Sequence, residues 1–135
     1  MTESLRCPFN QPLVSGLYAC RHASTITRRD GPDVACGEAG TNAACHALMS
    51  RLQEAALPAL GEGDQLPHSA AVKVAAGGLL GVQRLIDGSA GGEGVEDVGA
   101  LVERAAKAHG GIDALPVASV LEDIQGYRLR RRRQR

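Results

Sequence analysis

Apolar positions recur at helical spacing through the last two thirds of the chain. From Asn42 to Leu57, Cys45, Leu48, Met49, Leu52 and Ala56 fall on one face when residues are counted at about 100° each. Thr41 is placed to cap this helix and Pro58 to stop it. Cys45 is therefore expected to point inward. A second helix is expected from Ser69 to Asp87, with Val72, Ala75, Ala76, Leu79, Val82 and Ile86 along its stripe. Its other face collects small residues: Ala70, Val74, Gly77, Gly81 and Gly88. A glycine inside a helix costs about 1 kcal/mol relative to alanine. Close packing against a neighbouring helix is the expected compensation, and a homodimer or partner surface is the alternative.

Two further helices follow. Val95 to Ala108 aligns Val95, Val98, Val102, Ala105 and Ala106 and ends at Gly110-Gly111. The last begins near Leu115-Pro116, aligns Val117, Val120, Leu121 and Ile124, and stops at Gly126. The glycine-rich run from Gly88 to Gly94 reads as a flexible loop, and no Lys-Ser/Thr phosphate-loop ending follows it. No run alternates like a strand, and no internal repeat is present.

The fold expected is all-α, an irregular cysteine-ligated N-terminal lobe packed on a small bundle of three to four helices. Its 135 residues suit one domain. Residues 1–127 are expected to form it, with 1–60 as the cysteine lobe plus first helix, 61–127 as the helical part, and 128–135 as a basic flexible tail.

Composition changes this picture first through its lack of rings. With two Tyr, one Phe and no Trp, the core must be built from Ala, Val and Leu. Each large ring would bury about 150–250 Å². A core of small side chains gains more from a bound metal or partner.

Charge changes it next. The formal sum is zero, but residues 1–50 hold four basic and four acidic residues, residues 51–127 five basic and eleven acidic, and residues 128–135 six arginines. An acidic body argues against wholesale nucleic-acid binding, which needs a basic face. The arginine tail is expected to meet a protein partner, a redox protein or one with an acidic surface, in preference to nucleic acid. No run approaches about eighteen consecutive apolar residues, and the segment from Met1 to Arg6 has no signal-peptide hydrophobic region. The expectation is a cytoplasmic protein without a membrane span. There thiols stay reduced, so four cysteines read as metal ligands. In an exported protein the same four would allow three disulfide connectivities.

Those cysteines carry the chemistry. Cys7, Cys20, Cys36 and Cys45 follow the pattern Cys-x12-Cys-x15-Cys-x8-Cys, without the Cys-x2-Cys knuckle usual in structural zinc sites and without the ordinary ferredoxin runs. Widely spaced cysteines, each from a different turn or helix start, suit a large object better than a single ion. A [4Fe-4S] cluster is such an object, and four cysteines are its usual ligand set. Pro8 follows Cys7, and Gly16, Gly31, Gly37 and Gly40 are expected to bring backbone N–H groups near sulfur.

Cys20-Arg21-His22 has half of a Rieske motif, but Cys36-Gly37-Glu38-Ala39 lacks the other half. His22 and His46 remain candidates for donors to sulfur or for the fourth ligand of a Cys3His site, with packing or surface roles the commoner case. His68 and His109 lie beside helix ends. The run Arg28 to Asp33 reads as a charged turn, and Phe9 and Tyr18 as shields from water.

The leading functional expectation is a small iron–sulfur protein of the [4Fe-4S] type, acting in electron transfer or as an accessory redox subunit. No hydrolase triad, His-Glu-x-x-His or nucleotide loop argues for an enzyme. One alternative is a zinc-stabilised protein-interaction module. Another is a cluster-based sensor that binds nucleic acid through the arginine tail.

Overall fold

The computed structural model describes residues 5–15, 18–29, 31–61, 65–88 and 94–127. These residues are mostly helical, as the spacing of apolar positions predicts. The N-terminal lobe, however, is not irregular. Strands β1 (Leu5–Arg6), β2 (Ala23–Arg28) and β3 (Gly31–Cys36) form an antiparallel sheet in the order β1-β3-β2. The Arg28–Asp33 segment is the tip of the β2–β3 hairpin, with Arg28 paired to Gly31; Asp30 lies outside the described residues.

The reason no strand is visible in the pattern lies in these residues. β2 is Ala-Ser-Thr-Ile-Thr-Arg, in which only the β-branched Thr25, Ile26 and Thr27 favour extended chain. β3 contains Pro32, which has no N–H to give a ladder. β1 pairs only with Ala35 and Cys36, so at Pro32 the central strand has a single neighbour and proline is tolerated there.

A short helix, α1 (Asn10–Ser15), follows β1 and is too brief to show a period. It packs beside a satisfied buried carboxylate. Asp33 accepts from Arg6 Nη2, Asn10 Nδ2 and the Val34 N–H, each at 2.8 Å. Next comes α2 (Ala39–Leu60), which starts earlier than Thr41 allows because Glu38 is the N-cap, its carboxylate accepting from the Gly40 and Thr41 N–H groups. Pro58 does not stop it. The ring falls in the last turn, where one backbone bond is forfeited, and the helix closes at Gly61, whose N–H donates to Leu57 O at 2.8 Å.

Helix α3 (His68–Asp87) runs as the spacing predicts and ends on Gly88 with φ 85°. Helix α4 (Val98–His109) starts three residues after the predicted Val95, because Asp97 caps it, and ends on Gly110 with φ 80°. Val95 instead makes an isolated bridge with Tyr18. The expected fourth helix is a 3-10 turn, Val117–Val120, leading into the short α5 (Leu121–Gly126), and another 3-10 turn, Ile112–Ala114, precedes it.

One hydrophobic cluster joins these elements, from Phe9 to Ile124. α3 is its centre. Val74, Leu79 and Val82 of α3 are fully enclosed with Leu48 and Leu52 of α2, Leu101 and Val102 of α4, and Ile124 of α5. By length and composition α3 would suffice to cross a membrane, but half of it is buried inside the protein. Arg51 on α2 donates to Ile112 O at 2.8 Å and Leu115 O at 2.7 Å, tying the 3-10 turns to the bundle.

The small-residue face of α3 is covered from within the same chain. A Cβ on Gly77 would lie 2.9 Å from Asp123 O and from Ile124 Cα, and one on Gly81 would lie 2.5 Å from Val120 Cγ1. Arg84 then holds the covering segment through Asp123 Oδ2 at 2.7 Å and Ser119 O at 3.1 Å. Internal packing accounts for these glycines without a dimer. The run 89–93 and the arginine tail 128–135 lie outside the described residues.

Candidate metal centre

Four different local structures deliver the four cysteines. Cys7 leaves β1 with its N–H on Val34 O at 3.1 Å. Cys20 begins the turn into β2, its carbonyl accepting from the Ala23 N–H at 3.1 Å. Cys36 is the last residue of β3, paired to Leu5 on one side and Ala23 on the other. Cys45 sits in the second turn of α2 and is buried, as the helical spacing predicts. None of the four is in a disulfide.

All four line one hollow. Pro8, Ala23, Ala35 and Val98 add carbon to its wall. Thr41 and Asn42 also border it, but their polar atoms are engaged elsewhere: Thr41 Oγ1 donates to Glu103 Oε2 and Asn42 Nδ2 to Arg6 O, both at 2.8 Å. The hollow is small, about 10 Å³, room for roughly one water-sized sphere. A core of four irons and four sulfides is larger than this, so binding one would spread the thiols apart. Among the described residues, no group of three Cys, His, Asp or Glu side chains is drawn together tightly enough to hold one metal ion. The thiols thus share a space without forming a mononuclear cage.

This apolar wall disfavours charge on sulfur. Burial pushes the Cys45 thiol up to about 12, and the neighbouring Cys7, Cys20 and Cys36 add to the shift. Burial pushes Cys7 up to about 11, opposed by the Phe9 N–H, which donates to its sulfur. At neutral pH these two groups remain thiols unless a cation is bound among them. Loading such a site with a metal therefore releases protons.

The surroundings differ from the sequence expectations in several places. Gly37 and Gly40 do not give their N–H groups to sulfur; Gly37 donates to His22 O at 2.8 Å and Gly40 to the Glu38 carboxylate at 2.7 Å. Among the described residues, the Phe9 amide is aimed at the Cys7 sulfur. Gly16 lies outside the described residues. His22 turns to Glu103, with Nε2 3.8 Å from Oε2, and His46 to Arg6 O at 3.2 Å, so neither ring borders the hollow. His68 opens α3 and His109 closes α4. Phe9 is fully buried, and Tyr18 is buried with its hydroxyl donating to Ala76 O at 3.0 Å.

Part of the site's wall comes from a stretch of the chain that cysteine spacing does not reveal. Val98 borders the hollow, and Gly99 packs directly on Cys20 and His22. The Cys20 segment is stitched to the start of α4 by Ala19 N–H to Val95 O at 3.0 Å and Val98 N–H to Ala19 O at 2.7 Å. A glycine and a valine in a helical stripe carry no signal of this role.

Comparison with known protein families, with curated proteins and with solved structures found no match for this chain.

Proposed function

We propose that this chain is a small iron–sulfur protein whose Cys7, Cys20, Cys36 and Cys45 ligate one [4Fe-4S]-type cluster, and that it serves in electron transfer or as an accessory redox subunit. The observation that carries the reading is the convergence of four free thiols, Cys45 buried and the other three half-buried, from four separate stretches of chain on one hollow. Structural thiols packed for their own sake have no reason to gather. A cubane cluster takes four cysteine ligands, the number that line this hollow.

Two further features support it. Helices α2 and α4 both begin at the site, through Thr41, Asn42 and Val98, and helix N-termini favour nearby negative charge of the kind a thiolate-bound cluster carries. The Phe9 N–H bond to Cys7 sulfur is one of the contacts that set a cluster's reduction potential. The partner proposed is a redox protein or one with an acidic surface, met by the arginine tail.

Anaerobic reconstitution with ferrous iron and sulfide, run beside reconstitution with zinc, tests this. The expected product is brown and loses visible absorption on chemical reduction. Colourless protein that takes one zinc per chain and no sulfide would replace the cluster reading with the zinc-stabilised module.

A further inference from the structure

We infer that Gly99, the second residue of α4, is a positioning residue that sets where the Cys20 sulfur sits in this site. The inference rests on the reading of the four cysteines as ligands of one cluster and goes on to name what places the least anchored of them.

Cys7 and Cys36 are fixed by the sheet and Cys45 by a helix. Cys20, like Cys7, lies outside the strands and helices, but its neighbours Ala19 and Arg21 are tied to the start of α4. The Cys20 backbone is held by the turn into β2, and its sulfur is pressed by α4. A Cβ built on Gly99 would stand 3.1 Å from Cys20 Sγ, 3.1 Å from His22 Cδ2 and 3.5 Å from Thr41 Cγ2. At 3.1 Å a carbon is inside ordinary van der Waals contact, so any side chain there moves the sulfur or the ring by a few tenths of an ångström or more.

The helix cannot retreat to make room, because its first turn is bound to the same segment. Val98 N–H is on Ala19 O, Ala19 N–H is on Val95 O, and Asp97 holds both the backbone N–H and the Nε of Arg21. Residues on either side of Cys20 are thus tied to residues just before Gly99, and a methyl group enters the space between only if the sulfur or the ring gives way. A glycine in the first turn of a helix costs stability relative to alanine, and closeness to Cys20 explains its presence.

The test uses the full chain, anaerobically loaded, in three variants: Gly99→Ala, Gly99→Val, and Ala100→Val as a control for the helix cost of a branched residue. Gly99→Ala is expected to load but with a displaced ligand, seen as a shifted reduction potential and an altered electron paramagnetic resonance signal. Gly99→Val is expected to lose iron and sulfide several-fold, while the metal-free chain keeps its helical circular dichroism. Ala100→Val should change neither potential nor loading. If the wild-type chain loads and both Gly99 variants match it in content, potential and signal, the inference is overturned and the cluster reading stands. Should the wild-type chain take up no iron and sulfide, the cluster reading fails. The positioning is then decided on the metal-free chain by site-resolved alkylation: a changed rate at Cys20 but not at Cys36 in Gly99→Val upholds it, and unchanged rates at both overturn it.

Discussion

The carboxylate of Asp97 holds Arg21 twice, accepting from its backbone N–H at 3.2 Å and from its Nε at 2.8 Å, across 76 positions of sequence. The same carboxylate accepts from the Ala100 N–H and caps α4. One side chain therefore starts a helix and fixes the residue after Cys20. Asp97→Ala should cost about 1 kcal/mol through the lost cap, a few degrees of melting temperature, and should speed loss of the bound cofactor. Thermal melts and the rate of iron release to a chelator measure both. Unchanged release would mean that the clamp does not govern the Cys20 segment.

The same residue predicts a pH effect. Burial alone would raise the Asp97 carboxyl, but bonds from Arg21 and Ala100 outweigh it and hold the group below its ordinary 3.8. The ionised form is thus favoured by folding. Its contribution is complete above the unfolded value and is lost as pH falls through the lower folded one. Acid unfolding of the wild-type chain should carry a component in this range that Asp97→Ala lacks. Superimposable acid profiles would count against it.

The buried thiols give the opposite sign at the other end of the scale. In the metal-free chain burial pushes the Cys7 thiol up to about 11 and the Cys45 thiol up to about 12, from an ordinary 9.0. Folding favours their protonated forms, so this contribution is present below about pH 9 and is lost as pH rises through the folded values. Stability of the metal-free chain should decline from about pH 9 upward, and replacing both by Ala should flatten that decline. Denaturant midpoints across the range test it; a decline of equal slope in the double variant would assign the effect to other groups.

The glycines of α3 separate packing from propensity. Gly77→Ala gains about 1 kcal/mol in helix propensity, yet its methyl meets backbone atoms of Asp123 and Ile124 at 2.9 Å, and overpacking typically costs about 1–3 kcal/mol. The net result should be destabilisation. Gly126→Ala, with nothing within 4 Å of the new methyl, should be neutral or slightly stabilising. Circular dichroism melts of the two variants decide, and equal melting temperatures would mean that α5 yields freely.

How much of this was legible from sequence depends on the residue. α3 and α4 announce themselves because stripes such as Leu79–Val82 and Val98–Val102–Ala105 sustain one period and end on glycines with positive φ. The inward turn of Cys45 follows from the same period. The hairpin does not announce itself, since β2 and β3 owe their pairing to register with each other, and Pro32 argues locally against a strand. Glu38 as a cap is hidden because glutamate is not among the favoured capping residues. The α4 wall at Val98 and Gly99 is hidden for a different reason: its role exists only through contacts across more than fifty residues.

Tyr127 belongs to the folded body, half-buried with its Cβ beside Gly77, so the arginine tail is best removed after it. A chain ending at Tyr127 should keep its helicity and cofactor content. It should bind an acidic peptide more weakly than the full chain, with the difference vanishing at high salt. Retained affinity would locate the partner surface on the body, and tighter capture of duplex DNA than of the acidic peptide by the full chain would favour the nucleic-acid alternative.

The most direct test of the central claim is iron and acid-labile sulfide content, measured on the anaerobically prepared wild-type chain and on single Cys→Ala variants at Cys7, Cys20, Cys36 and Cys45. The account predicts roughly four irons and four sulfides per wild-type chain, with a clear loss of both in every variant. A wild-type chain without sulfide, or a variant that keeps full content, would contradict a single cluster held by these four thiols.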